Sequence, residues 1–419
     1  MKKRTRLSLV LLSLMLIISS LTLSSCLFGT ADEGYVTKSE VQQMLNNSMN
    51  GEITVIGGDN YDVTINGATQ EHAAAGKALL SAVSVKSVFK TASYQGGASS
   101  REKVANGSGV IYKLDKEHGD AYVITNFHVV FYNQSNTENG ISSDISVYLY
   151  GQEDDAYAIP ATYVGGSMNY DLAVLKINGS RVLAESNAMA ATFADSNNVA
   201  VLDQAIAVGN PEALGISATL GYINVDSEYI KMEAADGATA IQLRVMRMDT
   251  AVNSGNSGGG LFNSNGELIG IVNAKLTSSE NMSYAIPSNF VKSVTENILY
   301  YCDNTPKQNV YRCYLGITVS ATKLYTFYDQ ESGKVLKREE IGVLSIEKGS
   351  LAEGVLKEGD IINSITVDDV TYDVNRMYIV TDSMLNAYVG SIVRINVTRN
   401  GEILNLTIKI TDASLTVIK

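Results

Sequence analysis

From residue 82 onward the chain is a succession of short segments in which apolar and polar residues alternate. This period-two texture restricts the fold more than any other feature. AVSVKSVF (82–89), GVIYKL (109–114), AYVITN (121–126), ISVYLY (145–150), ATYVGG (161–166) and LAVLKI (172–177) come first. QAIAVGN (204–210), ATLGYINV (218–225), IQLRVMRMDT (241–250), GELIGIVNAKL (266–276) and MSYAIP (282–287) continue the pattern. Successive side chains of a strand point to opposite faces, so this alternation describes strands with one face in a core. Gly, Asn, Asp and Ser between the segments are turn formers. Many short strands with frequent turns predict a mainly β chain, a barrel or sandwich, with enough strand for two small barrels.

The flanking regions read differently. Residues 27–36 form a tether. Thr37 and Glu40 make a capping-box pattern, and Val41, Met44, Leu45 and Met49 follow at helical spacing, which predicts a helix over 38–49. GEITVIGGDNYDVTING (51–67) predicts a hairpin, and QEHAAAGKALL (70–80) a helix. NFVKSVTENILYY (289–301) reads as a closing helix before a linker at 302–312. A second β-rich module follows, with a helix expected over TDSMLNAYV (381–389) and a terminal hairpin turning at Asn400-Gly401, a dipeptide suited to a tight turn.

The chemistry-bearing signal is GNSGG at 255–259, which sets Ser257 among residues that allow a tight turn. A serine hydroxyl is a poor nucleophile until a base takes its proton and donors receive the oxyanion formed. VITNFHVV (123–130) offers His128 as general base, and NYDLAVLKI (169–177) offers Asp171 to orient the ring. The order His, Asp, Ser is that of two-barrel serine proteases. No Lys follows the glycines as a phosphate-binding loop requires.

Together these segments resemble the HtrA/Deg proteases, a trypsin-like domain followed by a PDZ domain. The resemblance is carried by NGSGVIY (106–112), VITNFHVV, YDLAVLKI, AVGNP (207–211), DTAVNSGNSGG (249–259), GELIGIVNA (266–274) and SYAIPSN (283–289), and more loosely by YLGITV (314–319) and the run 342–362. It implies a chymotrypsin-like double β-barrel over 79–301, a linker over 302–312 and a PDZ domain over 313–419. His128 and Asp171 would come from the first barrel and Ser257 from the second. The amides of Gly255 and Ser257, with Asn256, are expected to form the oxyanion hole. Val252, Lys275 and Leu276 fall where relatives line the substrate pocket. Tyr314, Leu315, Gly316 and Ile317 resemble the loop that receives a peptide carboxylate. Residues 320–341 look like an insertion beside that groove. Digestive relatives carry an Asp just before the serine, whereas this chain has the neutral Asn256, which points away from activation by N-terminal cleavage.

Residues 1–26 are expected to be a lipoprotein signal peptide. Lys2, Lys3, Arg4 and Arg6 precede an apolar stretch, and LSSC (23–26) resembles a lipobox that would place a lipid on Cys26; an uncleaved membrane anchor is the alternative. Residues 27–78 then form the N-terminal tether, helix and hairpin. Loss of the signal would carry the formal charge from -12 to about -16, which disfavours nucleic acid as a partner. Cys302 and Cys313 would either close a small loop in an oxidising compartment or remain separate thiols. A metal is not expected, because there are three His and none is spaced with a Cys as a zinc site requires, and no cofactor is implied. The resemblance implies a membrane-anchored, extracytoplasmic serine endopeptidase acting on unfolded proteins or peptides, and a homotrimer. A dedicated processing or signalling protease, and a non-enzymatic chaperone on the same folds, remain alternatives.

Overall fold

In the computed structural model, residues 53–56, 62–65, 70–91, 101–275, 282–304 and 307–418 are described, with backbone alone at 53–56, 62–65 and 274–275. The expected helix at 38–49, the signal peptide and Cys26 lie outside them. The chain divides into a unit over residues 1–68 and a larger one from Thr69 to Lys419. In the first, strands β1 (Ile53–Ile56) and β2 (Asp62–Ile65) pair antiparallel, which is the hairpin expected there.

The larger unit opens with the helix Gln70–Ser81, whose Ala74 and Ala78 are buried. These small side chains let the helix lie close to the second barrel, where Gly266 meets the Ala74 carbonyl. The alternating segments that follow close into two antiparallel barrels. The first contains β3 (Ala82–Thr91), β4 (Arg101–Asp115), β5 (Asp120–Thr125), β6 (Asp144–Leu149), β7 (Ile159–Ser167) and β8 (Leu172–Ile177), in the order β3-β4-β5-β8-β7-β6. The second contains β9 (Gln204–Gly209), β10 (Ser217–Glu233), β11 (Ala240–Met248), β12 (Gly260–Phe262), β13 (Leu268–Lys275) and β14 (Ser283–Pro287), in the order β10-β11-β14-β13-β12-β9. Closure removes the exposed edges that an open sheet of this size would carry. Val83, Val85, Ile111, Val123 and Leu175 fill the first core, and Val245, Met246, Leu261, Ile271 and Ile286 lie in the second.

The closing helix runs Ser288–Asn304, longer than 289–301, so the linker is shorter than 302–312. It is shortened again at its far end by β15 (Val310–Cys313), which pairs with the terminal strand β22 (Leu415–Ile418). Cys302 is exposed and Cys313 buried, and both are free thiols. Burial pushes the Cys313 thiol up to about 11.

The C-terminal module is a sheet of β16 (Ile317–Asp329), β17 (Lys334–Ile346), β18 (Ile361–Val367), β20 (Ile392–Arg399) and β21 (Glu402–Lys409), with β19 (Val370–Asp373) on β18. Arg399 pairs with Glu402 across Asn400 and Gly401, both at positive φ, as the Asn-Gly turn predicts. The helix expected over 381–389 instead spans Met377–Ser383, with a 3-10 turn at Met384–Asn386. Its Ile379-Val380-Thr381 run has low intrinsic helix preference, and burial of Tyr378, Ile379 and Val380 overrides it. The segment 320–341, read as an insertion, is mostly paired strand. It extends the β16–β17 hairpin, in register from Lys323↔Glu340 to Asp329↔Lys334.

That hairpin and the helix Met377–Ser383 seat the module against the second barrel. Lys334 meets Asp203 at 2.6 Å, while Lys337 and Arg376 converge on Asp226 at 2.9 and 2.6 Å. Arg244, from β11, is buried against Asp382 at 2.5 Å with the Tyr378 ring 3.9 Å from its guanidinium carbon. Asn297 of the closing helix donates to the Tyr311 and Leu385 carbonyls and accepts from Tyr311 N–H. Partly buried pairs of this kind fix orientation, because an uncompensated charge would be left if either partner moved away.

Candidate active site

The first barrel supplies two of the three expected side chains. β5 runs straight into the short turn Phe127–Val130, and burial of Phe127, Val129 and Val130 leaves His128 as its one partly exposed residue. Asp171 sits on the turn between β7 and β8 with φ 49°, a left-handed conformation that Asp tolerates better than most residues. The cost of that conformation is met locally. Asn126 Nδ2 donates to the Asp171 carbonyl at 2.7 Å, and the His128 backbone N–H donates to Asp171 Oδ1 at 2.9 Å. The remaining carboxylate oxygen, Oδ2, stands 2.7 Å from His128 Nδ1. The His128 side chain is 37% exposed and that of Asp171 5%, so the ring has a solvent-facing side while its partner is dry.

The second barrel adds a residue that no motif singled out. Asn273, on β13, is 2% exposed and donates Nδ2 to Asp171 Oδ2 at 2.6 Å. Its own carbonyl accepts Ser257 Oγ at 3.2 Å. The Asp171 carboxylate therefore receives three donors among the described residues, from both barrels, and Asn273 touches both Asp171 and Ser257. A polar residue inside the apolar run LIGIVNA was the one trace of this in the sequence. The Ser257 hydroxyl is turned to Asn273 O, and no hydrogen bond joins it to His128 among the described residues.

Around Ser257 the backbone is held one peptide unit at a time. Ser254 O accepts from Glu212 N at 2.7 Å, Gly255 O from Ser108 Oγ at 2.7 Å, Asn256 O from Gly259 N at 2.9 Å and Ser257 O from Ser108 N at 2.8 Å. In a trans peptide the N–H points opposite to the C=O, so pinning the carbonyls aims the amides. The Asn256 N–H goes to Asn253 O at 3.1 Å and the Gly258 N–H to Val272 O at 2.9 Å. Among the described residues, those of Gly255 and Ser257 have no protein acceptor. The expectation that Asn256 shares in the donor set is thus corrected, because its N–H is consumed in the turn. Gly255 has φ +97°, and a Cβ there would fall 2.3 Å from Asn210 O, so no other residue fits.

The expected pocket residues fare differently. Val252 is 4% exposed and packs with Val199, Ile223, Met248 and Leu261 in the second barrel's core rather than on an open wall. Burying an aliphatic side chain of this size is favourable by roughly 1.5–3 kcal/mol, which explains its inward turn. Lys275 ends β13 on the backbone alone, and Leu276 lies outside the described residues.

In the C-terminal module, Tyr314 to Ile317 lead into β16, which forms one end of the sheet and contacts the helix Met377–Ser383. The Tyr314 N–H is taken by Ser414 O at 2.7 Å, so Tyr314 is removed from the expected amide donors. The Leu315 carbonyl is held by Ala352 N and the Gly316 carbonyl by Glu347 N. Gly316 itself is at φ +74°.

A family model for a trypsin-like peptidase domain matches residues 107–271. The "Serine protease Do-like HtrA" of Bacillus subtilis is 31% identical over 341 residues, covering 79% of this chain and 68% of the relative. Its Lactococcus lactis counterpart is 34% identical over 279 residues, covering 64% and 62%. The periplasmic serine endoprotease DegP of Escherichia coli is 30% identical over 328 residues, covering 76% and 60%. The chain thus spans between 60% and 68% of the length of these relatives. Among solved structures, an HtrA-type protease, AlgW, with a tripeptide is similar at 25% identity and a TM-score of 0.52, over 83% of this chain and 98% of that one.

Proposed function

Because the chain belongs to the Do-like HtrA family of serine proteases, we propose that it is an extracytoplasmic serine endopeptidase that cuts unfolded protein chains through an acyl-enzyme on Ser257. The reading rests on the convergence of His128, Asp171, Asn273 and the Ser257 loop where the two barrels meet. In the proposed cycle, Ser257 Oγ leaves the Asn273 carbonyl, gives its proton to His128 Nε2 and attacks a peptide carbonyl. Asp171 holds the Nδ1–H tautomer, which keeps Nε2 free to act as base. The Gly255 and Ser257 N–H groups receive the oxyanion. His128 then returns the proton to the leaving amine, and a water completes hydrolysis of the ester.

The C-terminal module is proposed to be a PDZ domain that takes peptide ends, with carboxylate against the Leu315–Ile317 amides and a strand added along the open edge of β16. Lipidation at Cys26 would keep the enzyme at a membrane surface, and a homotrimer is the proposed assembly. Among the described residues no helix is long and apolar enough to cross a membrane. The neutral Asn256 accords with control by rearrangement of the loops at 250–256 and 274–281 rather than by zymogen cleavage.

A fluorophosphonate probe is expected to label Ser257 and no other serine, and the protein to degrade several unrelated unfolded chains. Absence of label in protein shown to be folded would overturn the hydrolase reading. Degradation of only one substrate would favour a dedicated processing protease.

The pH dependence follows from the His128 environment. Burial alone would push its pKa down, but the Asp171 charge and hydrogen bond outweigh burial and raise it above 6.5. The base must be neutral to act, so activity is lost as pH falls through that raised value. The acid limb of kcat/KM is expected to have its midpoint above pH 6.5. A midpoint well below 6.5 on a small peptide substrate would contradict His128 as the base.

A further inference from the structure

We propose that Ser108, carried by the first barrel, is the positioning residue that locks the 255–256 peptide unit, which joins the two units carrying the free Gly255 and Ser257 N–H groups of the second and so sets them relative to each other; the assignment rests on the hydrolase reading above and names what holds its oxyanion site in register. Ser108 is fully buried on β4 and uses every polar atom it has. Its Oγ donates to Gly255 O at 2.7 Å and accepts from Asn210 N at 2.8 Å. Its N–H donates to Ser257 O at 2.8 Å, and its carbonyl accepts from Thr125 Oγ1 at 2.7 Å. One residue of one barrel thus grips the peptide unit that lies between the two carrying the free N–H groups, through Gly255 O, and the unit that follows them, through Ser257 O.

The need for such a grip comes from Gly255. Glycine has the widest backbone freedom of any residue, so the peptide units on either side of it can rotate at small cost. The unit before it is held by Glu212 N and the unit after it by Ser108 Oγ. Asn210, which supplies the other bond to that hydroxyl, is itself fixed. Its Nδ2 donates to Ser84 Oγ at 2.6 Å, and its Oδ1 accepts from Gly215 N at 2.8 Å. The Asn210 N–H donates into the same hydroxyl that donates to Gly255 O, and hydrogen bonds chained in this way strengthen one another. Residues from β3, β4 and the end of β9 are therefore wired to the loop that carries Ser257. Loss of the hydroxyl frees the 255–256 peptide while leaving the Ser108 N–H on Ser257 O.

The test compares Ser108→Ala with wild type and with Ser288→Ala, a buried serine at the start of the closing helix whose Oγ likewise donates to a carbonyl, that of Ala194, at 2.8 Å. A positioning role predicts that Ser108→Ala lowers kcat on a fluorogenic peptide by about 10- to 100-fold, short of the loss from deleting a donor outright. KM should stay within about twofold, since ground-state binding does not use the oxyanion donors. Ser288→Ala should lower the melting temperature comparably and leave kcat unchanged. If Ser108→Ala does not fold, Ser108→Cys, which keeps a weaker donor at the same place, carries the same kcat-against-KM test. Retention of kcat within about twofold in the folded Ser108 variant, or an equal fall of kcat in Ser288→Ala, overturns the assignment while active wild type preserves the hydrolase reading. Wild type that neither turns over nor takes the fluorophosphonate label overturns both.

Discussion

Replacing Ser257 with alanine is expected to reduce peptide hydrolysis by roughly a million-fold, the scale of loss when a serine protease forfeits its nucleophile. The structure makes this a clean experiment. Among the described residues the hydroxyl makes a single hydrogen bond, 3.2 Å long, to Asn273 O. Its removal should alter stability by no more than about 1 kcal/mol, within the net worth of one hydrogen bond. The backbone contacts that hold the loop, Ser108 N to Ser257 O and Gly258 N to Val272 O, do not involve the side chain. The variant should therefore melt close to wild type, still bind peptides and take no fluorophosphonate. Residual turnover above about one per cent of wild type would show that Ser257 is not the nucleophile, since removing one leaves far less.

The second large effect is expected at Asp171→Asn, with kcat lowered about ten-thousand-fold and only a modest change in KM. Among the described residues, all three groups bonded to the Asp171 carboxylate are donors: His128 N–H, His128 Nδ1–H and Asn273 Nδ2. An asparagine amide must turn its NH2 toward at least one of them. Asn273 can adapt, because its Oδ1 is buried and has no partner among the described residues, so a flip of its amide would accept the new NH2. The ring cannot adapt without harm. With an NH2 facing Nδ1, the imidazole must carry its proton on Nε2, which removes the base from the serine's side. The raised His128 pKa should fall at the same time, since its chief opposing charge is gone. A variant with wild-type kcat, or with an unshifted acid limb, would refute this account.

Much of the architecture was legible in the linear chain because its causes are local. Alternation at period two marks a strand with one buried face, and AVSVKSVF, LAVLKI and GELIGIVNA became β3, β8 and β13. Asn400-Gly401 specified its own turn, since both residues accept positive φ. Where burial opposed local preference, sequence reading failed. The β-branched run 379–381 folded as a helix because Tyr378, Ile379 and Val380 had a core and a barrel surface to pack against. Val252 entered the core for the same reason.

Motif residues could be found from the sequence because their types and order carry the chemistry: His128, Asp171 and Ser257 are of the types that the proposed acyl transfer asks of a base, an orienting acid and a nucleophile. What the tertiary structure alone decided is which neutral residues are brought to those three side chains and to the loop that carries Ser257. Asn273 lies 102 positions from Asp171, and Ser108 lies 147 from Gly255. A serine or asparagine in a strand has no local signature that distinguishes a solvent-facing hydroxyl from a buried clamp. Hydrogen bonds are directional and short-ranged, so their partners are chosen only when two barrels close and bring distant strands within about 3 Å.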